Sequence, residues 1–202
     1  MDKLTVSTRI EVEFTNGVLP FTDVREADWF YDDVVYAYEN GLFSGTSDTT
    51  FSPNASMTRA MLVTVLYRLE GQPTVSGRSG FSDVKLNSYY EDAVTWAADN
   101  GIVNGTGATT FSPNANVTRE QMAAILYRYA QYKKYDVSVG EDTNILSYDD
   151  AQSISSYAIP AIQWACGAGV VTGKSGSKLD PKGNATRAEV AAMLMRFCEN
   201  VK

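Results

Sequence analysis

At 202 residues, 44% hydrophobic and 20% charged, the chain has the make-up of an ordinary globular protein, and it contains no apolar run long enough to span a membrane. A net charge of −7 and a pI near 4.6 argue against long-range attraction to nucleic acid or to an anionic membrane, so any anionic ligand must be captured by a local cluster of donors. Histidine is absent, which removes the commonest general base and metal ligand at neutral pH.

Residues 4–14 alternate, with Leu4, Val6, Ile10, Val12 and Phe14 set against Thr5, Ser7, Arg9, Glu11 and Glu13. This predicts a half-buried β-strand ended by the Asn16-Gly17 turn signal. One strand is not stable alone. Residues 1–18 are therefore read as the end of a preceding domain, the alternative being an arm that packs on the body or mediates self-association. No apolar signal segment opens the chain, so an extracellular role implies a longer parent protein.

From Phe21 the sequence repeats itself. Phe21-Thr22-Asp23-Val24 returns as Phe81-Ser82-Asp83-Val84, and the same offset of sixty positions relates Gly45 to Gly105, Arg59 to Arg119 and Tyr67 to Tyr127. A third unit follows at a further offset of 68, with Trp96 matched by Trp164, Gly105 by Gly173 and Arg119 by Arg187; its opening, Tyr148-Asp149-Asp150, fits if one residue is inserted before Trp164. The units divide the chain as 19–76, 77–137 and 138–202.

Each unit reads as helix, loop, helix. The first helix is expected over about 30–40, 90–100 and 157–168, stopped by Gly41, Gly101 and Gly169. Pro160 means that the third of these starts there or is kinked. The second is expected over 58–70, 118–132 and 186–199, where apolar residues (Leu62, Val65, Leu66, Leu69 in the first) recur at three and four. Thr58, Thr118 and Thr186 precede these runs as N-caps, with capping boxes completed by Gln121 and Glu189 but not by Met61. Three apolar stripes in one chain are expected to pack on one another as a core. The linkers 71–80 and 133–146 are polar and exposed.

The N-cap is followed in every unit by an arginine: Arg59, Arg119, Arg187. A cation at the positive end of a helix is electrostatically unfavourable. Three equivalent instances call for a reason, and an arginine beside free first-turn amides is a receptor for carboxylate or phosphate. Asp23, Asp83 and Asp150 open the units, either bracing a turn or contacting a ligand. Trp29, Tyr89, Tyr90 and Tyr157 follow, as core residues or as platforms for sugar rings. Gly45, Gly105 and Gly173 most simply permit a positive-φ turn. Arg68, Arg128 and Arg196 lie near helix C-termini, where a cation is favourable without further role. The Asn-x-Thr spellings at Asn116 and Asn184 end on N-cap threonines, and the acidic pairs lack calcium-loop spacing. Cys166 and Cys198 are read as buried thiols, with pairing the alternative. No nucleophile–base pair, phosphate loop or zinc spacing is present, so neither an enzyme nor a cofactor is expected.

The ordered set of Phe-x-Asp-Val, an aromatic, an Ala-rich helix ending in Asn-Gly, a Gly-Thr loop, Phe-x-Pro and Thr-Arg-Ala-Glu resembles the S-layer homology (SLH) domain, in three copies over residues 19–202. The resemblance implies a mainly α fold: a pseudo-threefold prism around a central three-helix bundle, with grooves between repeats and only the N-terminal strand outside it. It implies a non-catalytic, extracellular module that anchors a bacterial surface protein to secondary cell-wall polysaccharide. Arg59, Arg119 and Arg187 would pair with the carboxylate of a pyruvylated sugar, with Asp23, Asp83, Asp150, Trp29, Tyr90, Tyr157, Gly45, Gly105 and Gly173 around them. Nucleic acid and membrane are not expected partners. Met61 and Gln121 depart from the motif's Glu, and the third entry is altered at Tyr148. The rival reading is a protein–protein assembly module, marked by a broad apolar patch instead of a polar cleft; a glycosidase would need two facing carboxylates.

Overall fold

A computed structural model describes residues 19–174 and 177–202; the strand expected over 4–14 lies outside the described residues. The fold is mainly helical, with α1 at Tyr31–Glu39, α2 at Arg59–Leu69, α3 at Glu91–Asp99, α4 at Arg119–Tyr132, α5 at Ile159–Gly167 and α6 at Arg187–Asn200. No helix among the described residues is long and apolar enough to cross a membrane.

Local chemistry sets the ends of these helices. Thr58, Thr118 and Thr186 hold extended backbone and accept hydrogen bonds from the amides of Met61, Gln121 and Glu189. Gln121 and Glu189 return the bond to the N-cap amide, so α4 and α6 carry full capping boxes and α2 does not. Gly41, Gly101 and Gly169 terminate α1, α3 and α5 in the left-handed region, at φ +66°, +68° and +70°. Pro160 lies in the first turn of α5, where its missing N–H costs nothing, so the helix begins there and does not kink.

The closest helix pairs cross repeat boundaries. α2 packs on α3, α4 on α5, and α6 returns to α1. The second helices meet through side chains: Leu62, Leu66, Met122, Leu126, Val190 and Leu194 are wholly buried, and the rings of Tyr129 and Phe197 lie 5.7 Å apart. Tyr129 also donates to Glu70 at 2.7 Å, and Lys133 pairs with the same carboxylate at 2.8 Å, joining the C-terminal ends of α2 and α4. Burial and Glu70 together push the Tyr129 phenol well above its ordinary range.

A ring of backbone hydrogen bonds closes the N-terminal ends of the second helices. The amide of Val117 donates to the carbonyl of Met57, that of Ala185 to Val117, and that of Met57 to Ala185, each at 2.9 Å. Every repeat is thus both donor and acceptor, and the third is tied back to the first. Both cysteines are free thiols; burial raises both, Cys166 to about 11.

Candidate functional site

The three arginines are buried, and each reaches across a repeat boundary. Arg59 Nε donates to Phe111 O at 2.8 Å and its Nη2 to Asn104 O at 2.7 Å. Arg119 makes the same pair of bonds to Leu179 O and Thr172 O, and Arg187 to Phe51 O and Ser44 O. The guanidiniums of Arg59 and Arg187 also sit 4.6 and 4.5 Å from the centres of the Phe111 and Phe51 rings. The unfavourable position at the start of a helix has a structural reason: the side chain leaves its own helix and delivers its charge to carbonyls of the next repeat.

The first-turn amides are not free, which corrects the expectation of an amide-built anion receptor. Arg59 N and Ala60 N donate to Ala115 O and Pro113 O; Arg119 N and Glu120 N to Gly183 O and Pro181 O; Arg187 N and Ala188 N to Ala55 O and Pro53 O. The third amide of each helix is held by its threonine. The neighbouring turn, Phe-Ser-Pro in the first two repeats and Leu179-Asp180-Pro181 in the third, thus supplies the partners that a helix start requires.

Asp23, Asp83 and Asp150 brace that turn. Each carboxylate accepts two successive amides, of Phe51 and Ser52, of Phe111 and Ser112, and of Leu179 and Asp180, at 2.7 to 2.9 Å. The second residue of each turn stands at positive φ (59°, 58° and 52°), a costly conformation that the clamp supports. In each repeat one residue, Phe51, Phe111 or Leu179, donates its amide to the aspartate and accepts the arginine at its carbonyl, so the carboxylate positions the guanidinium through the turn.

The glycines act by close packing. Gly45 and Gly105 do not adopt positive φ, against expectation. A Cβ on Gly45 would collide with the Ser47 carbonyl and come within 2.6 Å of the Phe21 ring; on Gly105 it would come within 2.7 Å of the Phe81 ring. Gly173 lines a groove directly.

The grooves draw on all three repeats. One is lined by Ser44, Gly45, Thr46, Met61 and Arg68 of the first repeat, Tyr89 of the second and Arg187 of the third. Its counterpart is lined by Thr172, Gly173, Lys174, Glu189 and Arg196 of the third repeat, Trp29 of the first and Arg119 of the second. The remaining combination brings Arg59 against Asn104 and within electrostatic reach of Arg128 and Tyr157. Burial lowers the pKa of Arg59 and Arg187 from the ordinary arginine value. Tyr157 donates to Glu120 at 3.4 Å, and that carboxylate also binds Lys182 and Ser155.

Of the two adjacent tyrosines, Tyr89 and not Tyr90 faces a groove. Tyr90 is 6% exposed and packs in the core, whereas Tyr89 is 64% exposed and faces the groove, as Trp29 does at 65%. The repeat offset contained this signal, because sixty positions beyond Trp29 is Tyr89. Arg68 and Arg196, read from sequence only as helix-end cations, line the two grooves. Their constant spacing of nine residues from Arg59 and Arg187 was the available clue.

Three helix-loop-helix units closed in a ring, with clefts assembled from all three, define a helical tandem-repeat module. A family model for the S-layer homology domain matches residues 20–60, 80–123 and 147–191, and the chain belongs to that family. It is 36% identical over 182 residues to an endoglucanase of Bacillus sp. (strain KSM-635), covering 90% of this chain and 19% of that protein. It is 36% identical over 127 residues to the surface-layer 125 kDa protein of Lysinibacillus sphaericus, covering 59% of this chain and 10% of that protein. To an S-layer protein of Bacillus thuringiensis subsp. finitimus it is 25% identical over 177 residues, covering 87% and 21%. The chain thus spans about a fifth or less of the length of these relatives. The family and its surface-layer members make it an extracellular module of the cell wall or surface layer, in an anchoring or layer-forming role.

Proposed function

We propose that the chain is a non-catalytic anchor that holds its parent protein on anionic, pyruvylated secondary cell-wall polysaccharide through the grooves between its repeats. The observation that carries this reading is the convergence, in one cleft, of a positioned guanidinium, a second arginine and an exposed aromatic. An arginine with two of its donors already committed is rigidly aimed, and its outward edge suits a carboxylate. A partly exposed ring beside it suits the apolar face of a sugar. Arg59, Arg119 and Arg187 take the carboxylate role, Trp29, Tyr89 and Tyr157 the stacking role, and Asp23, Asp83 and Asp150 act through the turns they brace. Two further facts support the reading. The chain is similar both to a protein named as an enzyme and to proteins named as surface layers, as expected of a shared attachment device. Among the described residues, no carboxylate lines the first-repeat groove and Glu189 alone lines the third-repeat groove, whereas glycoside hydrolysis calls for two facing carboxylates.

The test is co-sedimentation with purified wall sacculi before and after extraction of the secondary polysaccharide. The chain should pellet with intact sacculi and remain soluble with extracted ones. Equal pelleting with both would remove the polysaccharide from the account. Self-association without wall binding would favour the assembly reading.

A further inference from the structure

Four Asn-Gly steps occur in the chain, at Asn16, Asn40, Asn100 and Asn104, and the last three lie among the described residues. This dipeptide has a chemistry of its own. The backbone nitrogen of the glycine can attack the side-chain carbon of the asparagine, because glycine has no side chain to obstruct the ring closure. The attack requires an unrestrained side-chain amide and a glycine N–H that is free to lose its proton. Asn40 and Asn100, at the ends of α1 and α3, fail on both counts. Their Nδ2 atoms donate to the carbonyls of Tyr36 and Trp96 at 2.8 Å, and the amides of Gly41 and Gly101 donate to those of Tyr38 and Ala98 at 3.0 Å. Asn104 differs. It is exposed, and among the described residues neither its side chain nor the Gly105 N–H has a hydrogen-bond partner. Its backbone carbonyl, by contrast, accepts Arg59 Nη2 at 2.7 Å.

That bond acts on the reacting peptide. The Asn104 carbonyl and the Gly105 N–H belong to one amide unit, so a guanidinium on the oxygen stabilises the negative charge that develops as the nitrogen loses its proton. Arg59 is buried, and an arginine keeps its charge in that setting. We propose that Asn104 is a site of spontaneous deamidation whose product is a carboxylate held on Arg59. The Gly105 nitrogen gives its proton to solvent and bonds to Asn104 Cγ; the Cγ–Nδ2 bond breaks and ammonia leaves, closing a succinimide. Water then adds to a ring carbonyl, and the α-carbonyl is the one that Arg59 polarises. Addition there breaks the bond from that carbon to the Gly105 nitrogen, which regains a proton, and the product is isoaspartate. Its freed α-carboxylate contains the oxygen already bonded to Arg59. The neutral acceptor of a groove arginine becomes an anion, and this groove loses one unit of positive charge. The equivalent loops carry Ser44-Gly45 and Thr172-Gly173, which have no side-chain amide to react, so the change is confined to one groove. The inference goes beyond the anchoring reading and holds whether or not the grooves take a sugar.

The experiment is incubation of the full chain in heavy-oxygen water at mildly alkaline pH, with and without urea, followed by proteolysis and mass spectrometry. Each deamidation incorporates one heavy oxygen, and fragment ions separate Asn100 from Asn104. In the folded chain, label should accumulate at Asn104 at least about tenfold faster than at Asn40 or Asn100, which must open locally before they react. In urea the three rates should fall within about threefold of one another, because the hydrogen bonds that distinguish them are gone. Isoaspartate should form a larger share of the product at Asn104 in the folded chain than in urea. Asn104→Ser, which matches the first repeat at Ser44, should abolish this signal and leave the other two sites unchanged. Labelling of Asn40 or Asn100 as fast as Asn104 in the folded chain, or no labelling of Asn104 there, would overturn the inference. So would an undiminished lead of Asn104 in urea, which would place the cause in local sequence. An isoaspartate share no larger than in urea would remove Arg59 from the reaction and overturn the proposal as stated.

Discussion

Replacing Arg187 with Met removes the side chain that ties the last repeat to the first. Its Nε bonds the carbonyl of Phe51, a residue with no solvent exposure, and its Nη2 bonds the carbonyl of Ser44, which lies at the surface. A hydrogen bond to a charged donor contributes roughly 1.5–3 kcal/mol, and the loss is full only where water cannot replace the donor. The Phe51 carbonyl stays dry, so its share is about 2–3 kcal/mol, whereas water can satisfy Ser44 and reduces that share to about 0.5 kcal/mol. The contact over the Phe51 ring, at 4.5 Å, adds about 0.5 kcal/mol. Arg187→Met should therefore cost about 3–4 kcal/mol, or roughly 6–15 °C in the unfolding midpoint of a domain this size. Arg187→Lys keeps the charge but not the fork, and should cost about half as much. Urea unfolding at neutral pH measures both. A loss below about 1 kcal/mol for Arg187→Met, together with loss of wall binding, would show that the residue serves the ligand alone and refute the structural reasoning.

Thr118→Ala should destabilise by about 1 kcal/mol, and Thr58→Ala by less, because Met61 cannot return the capping bond; equal losses in thermal melts would contradict the capping assignment. Gly45→Ala should cost about 2 kcal/mol or more through collision with the Ser47 carbonyl and Phe21, measured by urea midpoint, and a neutral result would show that the loop yields freely. Acid should loosen the turns. Burial pushes Asp83 and Asp150 up, but the two backbone amides bound to each outweigh it and hold both carboxyls below the ordinary value of 3.8. A folded-state pKa below the unfolded one gives stability that is complete above about pH 4 and is lost as pH falls through the lower folded values. The urea midpoint should drop between pH 4 and pH 2.5, and Asp83→Asn should flatten that drop; an unchanged slope would refute the role of the clamp.

Much of this was legible in the sequence because it is local. The helix bounds, the glycine stops, the three threonine caps, the incomplete box at Met61 and the start at Pro160 all depend on neighbours within a turn of chain. What was not legible lies in long-range pairing. The arginines looked solvated or ligand-bound because the carbonyls that hold Arg187 are 136 and 143 residues away. The first-turn amides looked free for the same reason. The packing of α2 on α3, rather than on the helix of its own repeat, follows from ring closure, which apolar periodicity does not encode. Tyr90 drew attention as one of two adjacent aromatics, and only the repeat offset separates it from Tyr89. Gly45 and Gly105 suggested a turn conformation, whereas their reason is loop carbonyls and a phenyl ring from the repeat's opening motif packed against them.

The most direct test of anion capture by the grooves is calorimetric titration of the chain with soluble wall polysaccharide, before and after mild acid hydrolysis of its pyruvyl ketals. The account predicts binding to the pyruvylated polymer that weakens at least tenfold when the ketals are gone, and that also weakens as salt is raised. Equal affinity for the two polymers would contradict it.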